Sequence, residues 1–164
     1  MILRCTAKLA ALVGRPGPES ASLTPNGDDW YANLVWVDGR KCLLVTHADT
    51  LFSVFAPDVR AAQLRPLGGF VVPMIVAELA REGLRADGLG ALDPDGAVIA
   101  KTADRSVVGC MNEFAFLCER FADCDGRLAK LDLAGLHRFL HRNINSPRGY
   151  VSAIELAKQR ARDA

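Results

Sequence analysis

This chain lacks the cysteine spacing of redox and metal chemistry. Its five cysteines, Cys5, Cys42, Cys110, Cys118 and Cys124, are odd in number, widely scattered and never arranged as C-x-x-C. That excludes the usual disulfide frameworks, zinc knuckles and dithiol redox motifs, and the five read as reduced core residues. Aromatic side chains are scarce, at 7%, so the core is expected to be aliphatic. No apolar run is long enough to cross a bilayer; the longest, around Phe70 to Ala77, is interrupted by Pro73. The opening residues Met1 to Thr6 carry no run of signal-peptide length, and the expectation is a cytoplasmic protein without membrane contact.

Charge of one sign is lacking as well. Twenty Lys and Arg face 19 Asp and Glu, for a net charge of +1, so the whole-protein field exerts no strong nonspecific pull on nucleic acid. Residues 136 to 164 hold six Lys/Arg against two Asp/Glu, which reads as a solvated helix face. There is no G-x-x-x-x-G-K-[ST], no G-x-G-x-x-G after a strand, no G-x-S-x-G and no paired acidic motif. P-loop hydrolysis, Rossmann redox chemistry and α/β-hydrolase action lose their usual support. No cofactor is assigned, and no catalytic motif marks an enzyme.

What is present suits one α+β domain. A chain of 164 residues buries roughly two thirds of its extended surface on folding, enough for a core without metals or disulfides. Strands are expected at Ile2 to Thr6, Tyr31 to Val37, Lys41 to Thr46, Leu51 to Ala56 and Ala97 to Lys101, with Asp38-Gly39 as a tight hairpin turn. Asn33, Val35 and Val37 should share one face, opposite Leu34 and Trp36. Helices are expected at Ala7 to Val13, Leu67 to Glu82, Arg105 to Asp123, Asp132 to Asn143 and Pro147 to Arg162, with Pro73 tolerated only in a first turn. The helix after Arg105 puts Val107, Val108, Met111, Phe114, Cys118 and Phe121 on one stripe. The architecture implied is an antiparallel sheet of about four or five strands, packed against helices mainly from the C-terminal half.

The junction Lys101-Thr102-Ala103-Asp104-Arg105-Ser106 is the strongest candidate site. Lys101, Arg105 and the hydroxyls of Thr102 and Ser106 surround a helix N-terminus, whose free N–H groups and dipole favour an anion. Gly109 leaves room for close approach and Asn112 extends the polar face. The competing reading is a helix cap with two solvated cations. Arg40, Lys41, Thr46, His47, Thr50 and Ser53 form a second polar group around turns, where polarity is ordinary. Trp30 and Trp36 read as packing residues, with base stacking the less favoured alternative. His137 and His141 have the i, i+4 spacing of paired metal ligands, but the glutamate of H-E-x-x-H is absent. They read as edging the stripe Leu133, Leu136, Leu140 and Ile144, and no metal is assigned.

Three segments resemble an uncharacterised bacterial family, a domain of unknown function. They are Arg4-Cys5-Thr6-Ala7-Lys8-Leu9, the run Trp30 to Phe55 with Ala32-Asn33-Leu34, Arg40-Lys41-Cys42 and Thr50-Leu51-Phe52-Ser53, and the run Lys101 to Asn112. The resemblance covers most of residues 2 to 120 and implies a compact single domain of bacterial type, with no activity to carry over. Its recurring polar residues, Arg4, Thr6, Lys8, Asn33, Lys41, Lys101, Thr102, Arg105, Ser106 and Asn112, would line one pocket where the first strand, the hairpin and the junction meet. The leading expectation is a small module binding an anionic group of a nucleotide, nucleic acid or metabolite. The alternatives are an enzyme on a phosphate-containing substrate, with His47 as proton carrier, and a protein-interaction module without a small ligand.

Overall fold

The computed structural model describes residues 1–163, and the side chains of all of these but Glu19, Ala21 and Ser146. Strand β1 (Ile2–Cys5) leads into helix α1 (Ala7–Val13). Strands β2 (Trp30–Val37), β3 (Arg40–His47) and β4 (Ser53–Ala56) follow, then helix α2 (Leu67–Arg81), strand β5 (Val98–Lys101) and helices α3 (Arg105–Cys124) and α4 (Leu133–Arg142). A short hairpin, β6 (Ile144–Asn145) and β7 (Val151–Ser152), precedes α5 (Ala153–Asp163). The fold is α+β, around a five-stranded sheet of order β4-β3-β2-β1-β5.

The sheet is mixed where an antiparallel one was expected. β2, β3 and β4 form the antiparallel meander, while β1 runs parallel to both β2 and β5. Asp38 (φ 51°) and Gly39 (φ 71°) take the left-handed conformations that a two-residue hairpin turn requires. β4 starts at Ser53 rather than Leu51, because Leu51 has φ 59° and closes a turn in which its N–H donates to the His47 carbonyl.

Side-chain alternation divides the core in two. Leu3, Cys5, Trp30, Ala32, Leu34, Leu43 and Val45 pack with α1, α2 and α5, whereas Tyr31, Val35, Val37, Cys42, Leu44 and Phe55 pack with α3 and α4. The α3 stripe is as expected: Val107, Met111, Phe114 and Cys118 are buried, and Val108 and Phe121 flank them. Helices therefore cover both faces, and those on the first face come partly from the N-terminal half.

Two helical expectations are corrected. Pro73 stands in the second turn of α2, not the first. Its missing N–H leaves the Gly69 carbonyl without a helical partner, and Gly69 and Pro73 are both exposed, so this break in the ladder faces solvent rather than the core. The last helix begins at Ala153 rather than Pro147. Gly149 (φ 69°) and Tyr150 (φ 61°) interrupt the helical path, and Ser152 with Glu155 then forms a capping box, each receiving the other's backbone N–H. No helix among the described residues is long and apolar enough to cross a membrane.

Candidate functional site

The parallel strands β1 and β5 are neighbours, and Cys5 stands level with Lys101 at their carboxyl ends. The helix following β1 packs on one face of the sheet and the helix following β5 on the other. Such a divergence opens a crevice beyond the strand ends, the place where open α/β sheets accommodate ligands. Three depressions meet there. One of about 600 Å³ is lined by Cys5, α1, Arg15, Pro16, Lys101 and Thr102. A second of about 550 Å³ lies between Arg4, the loop from Pro16 to Pro25, and residues 101–103. A third of about 380 Å³ runs along the start of α3 past Thr102, Arg105, Gly109 and Asn112.

Of the expected site residues, Lys101, Thr102, Arg105 and Asn112 are brought together. Among the described residues, the charged heads of Lys101, Arg105 and Arg15 have no hydrogen-bond or ion-pair partner. A Cβ on Gly109 would meet nothing within 4 Å, so no backbone approaches it and the glycine simply deepens the depression. Ser106 sits on the same turn with its N–H donating to the Asp104 carboxylate at 2.7 Å. That capping carboxylate occupies the helix N-terminus. Although burial pushes the Asp104 carboxyl up, hydrogen bonds from Ser106 and Val107 outweigh it and hold the group below its ordinary value. An anion therefore finds its charge partners at Lys101 and Arg15 rather than at the helix end itself.

The other three candidates have different work. Arg4 is 2% exposed; its guanidinium pairs with Asp29 at 2.5 Å and donates to the carbonyls of Lys101 (3.1 Å) and Leu23 (3.0 Å). It clamps the loop and the end of β5 together, so it shapes the rim while its charge is already used. Asn33 is buried and accepts from the Thr6 hydroxyl at 2.9 Å. Lys41 pairs with Trp36 at the hairpin end of β2, four residues beyond Ala32, which is level with Cys5; that is about 13 Å along the strand. It does not join the crevice.

His47 does not reach the crevice either. Lys101, Cys5, Ala32 and Val45 stand in one row across the sheet, which puts β3 about 14 Å from β5, and His47 lies two residues further on. Burial is the main cause holding its pKa down to about 3. Cys5, the one thiol lining the largest depression, is pushed up to about 12 by burial and stays protonated. Trp30 is buried edge-on against His47, and Trp36 lies half exposed beneath Lys8. Three of the C-terminal arginines are intramolecular ties: Arg142 to Glu82, Arg148 to the carbonyls of Ala48 and Asp49, and Arg160 to Asp28 and Asp49.

Sequence reasoning missed a second polar cluster at the opposite edge of the sheet. His137 and His141 do lie beside Leu136 and Leu140 on the buried face of α4, but at 2% and 0% exposure they are fully inside, whereas Ile144 of the expected stripe is exposed and outside the helix. The two histidines line the free side of edge strand β4, where Phe55 N–H donates to His137 Nε2 (2.9 Å) and His141 Nε2 meets the Ser53 carbonyl (2.7 Å). Helical residues four apart thus serve backbone groups two apart, and the exposed edge is covered. On their far side stand Glu78 of α2 and Glu82, the residue that caps its C-terminus, with Glu78 Oε2 2.9 Å from His137 Nδ1 and Glu82 Oε1 3.1 Å from His141 Nδ1. Burial pushes the Glu78 carboxyl up, but His137 and Arg81 outweigh it and bring it down to about 2. The readable signal was a pair of i, i+4 acids facing a pair of i, i+4 histidines.

No curated protein and no solved structure matches this chain. One family does, over residues 2–156, and its description is a domain of unknown function. The match takes in the crevice, the buried Arg4 clamp and the edge cluster alike, so the chain belongs to the DUF6933 family.

Proposed function

We propose that this protein is a small binding module whose ligand carries an apolar body and an anionic end, seated in the crevice beyond β1 and β5. The observation that carries the reading is the meeting of three depressions at Lys101 and Thr102, with Lys101, Arg105 and Arg15 presenting unpartnered cations around them. The largest depression has mostly apolar walls, which suits a ligand body, and a charge-assisted hydrogen bond to Lys101 supplies orientation. Five free thiols suit a reducing compartment, so we place the protein in the cytoplasm, of bacterial type by its resemblance. The enzymatic alternative loses its proton carrier with His47 remote and neutral. The interaction-module alternative would use the large exposed apolar side chains Trp36, Val98, Phe116, Phe139, Ile144 and Tyr150, none of which lines the crevice.

The test is a thermal-shift screen of phosphate and carboxylate compounds, nucleotides included, on the wild type and on Lys101→Ala and Arg105→Ala. A ligand that stabilises the wild type should bind Lys101→Ala about tenfold or more weakly, the worth of one charge-assisted bond. Both variants should keep wild-type stability, because neither side chain has a partner to lose. Equal binding by all three proteins would refute the crevice as the site.

A further inference from the structure

The edge cluster of α2 and α4 is built like a metal site. The ligating atoms of Glu78, Glu82 and His141 all lie within 4.8 Å of one another, and the three side chains are 3%, 7% and 0% exposed. Tetrahedral zinc, with bonds of about 2.0–2.1 Å, spaces its ligand atoms about 3.3 Å apart. Glu82 Oε1 and His141 Nδ1 are already 3.1 Å apart.

Two independent details point to a cation between them. His141 Nε2 faces the Ser53 carbonyl at 2.7 Å, an acceptor, so that nitrogen carries the proton. The neutral ring then turns the bare lone pair of Nδ1 towards the Glu82 carboxylate, and two acceptors at 3.1 Å repel unless a second proton or a metal ion lies between them. A ring N–H held by a backbone carbonyl is also the outer-sphere arrangement that orients metal-ligating histidines. Beside it, His137 Nδ1 is buried and has no hydrogen-bond partner, although Glu78 Oε2 is only 2.9 Å away. Glu78 Oε2 instead accepts from Arg81 at 2.7 Å, which leaves His137 Nδ1 as a buried, unpartnered nitrogen beside the cluster.

We propose that Glu78, Glu82 and His141 bind one divalent transition-metal ion of the zinc class, with His137 lying beside Glu78. One imidazole nitrogen and two carboxylate oxygens favour zinc and its neighbours in the first transition row over calcium or magnesium. A fourth position remains for water. Metal entry displaces the second proton where one is present, and it displaces the arginines that neutralise the carboxylates from outside, Arg81 at 2.7 Å from Glu78 and Arg142 at 2.8 Å from Glu82. Both arginine side chains are more than half exposed and can turn into solvent. The ion would join α2, on one face of the sheet, to α4 on the other around the edge strand, and so act as a structural staple.

The experiment is a zinc titration of the chelator-treated 164-residue chain in competition with a chromophoric chelator, paired with cobalt(II) absorption spectra. Expected are one zinc per chain, affinity reduced at least about a hundredfold by Glu82→Gln and by His141→Gln, and cobalt bands without thiolate charge transfer. Arg142→Ala removes a competing cation and should bind zinc more tightly, which keeps the test open where a buried variant fails to fold. His137→Asn should shift the cobalt bands while leaving the stoichiometry at one. Absence of binding in both wild type and Arg142→Ala, binding indifferent to Glu82→Gln and His141→Gln, or thiolate bands that vanish with Cys124→Ser would each overturn the proposal.

Discussion

Asp29→Ala should cost about 3–5 kcal/mol of folding stability, the penalty for leaving a buried charge without its counter-ion. In the native fold Arg4 and Asp29 are both 2% exposed, and Asp29 also accepts the Asn26 N–H at 3.1 Å. Removing the carboxylate strands a guanidinium between β1 and the loop that forms one wall of the crevice. For a domain of this size the loss corresponds to a fall in Tm on the order of 10 °C. The double variant Arg4→Met with Asp29→Leu should recover much of the deficit, since well-packed apolar pairs replace buried ion pairs at little cost. Urea denaturation of the three proteins is the check. A loss below about 1 kcal/mol in the single variant would mean that water reaches the pair.

The second large effect is acid destabilisation through His47. Its ring is fully buried, accepts the Thr50 N–H on Nδ1 at 3.3 Å, and leaves Nε2 without a partner. Burial depresses its pKa from 6.5 to about 3. Between those values the unfolded chain binds a proton that the native protein refuses, so stability rises with pH across that window and falls as the solution is acidified. From about pH 7 to about pH 5 the expected loss is about 2 kcal/mol. Carboxylates held low by partners, such as Glu78 and Glu82, give way further down, so the upper part of the acid limb belongs to histidine. His47→Asn keeps a small polar group near Thr50 and should flatten that part of the curve. An unchanged slope in the variant would assign the acid limb to other groups.

Local chemistry was readable in the chain, and pairing over distance was not. Asp38-Gly39 announces its hairpin because few residues tolerate two consecutive positive φ angles, and Asp104 and Asp132 cap helices through bonds to N–H groups two or three residues on. The α3 stripe follows from helical period alone. The parallel neighbours of β1 were invisible, because Ile2 and Val98 are joined only by the folded chain and a buried strand reads the same in either direction. Arg4 looked like a ligand-binding cation for a related reason. Nothing in its neighbourhood reveals that Asp29 lies opposite, 25 residues away. The same distance hid the edge cluster, where Glu82 and His141 are separated by 59 positions. The candidate site was half legible: Lys101, Thr102, Arg105 and Asn112 share one stretch of chain and stay together, whereas Arg15 joins them only because α1 is short and ends beside β5.

The central claim is that the ends of β1 and β5 hold an anionic ligand, and amide chemical-shift mapping of the full chain tests it most directly. Titration with inorganic phosphate, nucleotides and small carboxylates should move the resonances of Thr6, Arg15, Lys101, Thr102 and Arg105 together and saturably. Shifts that are absent from these residues with every compound, or that centre on another face of the protein, would contradict it.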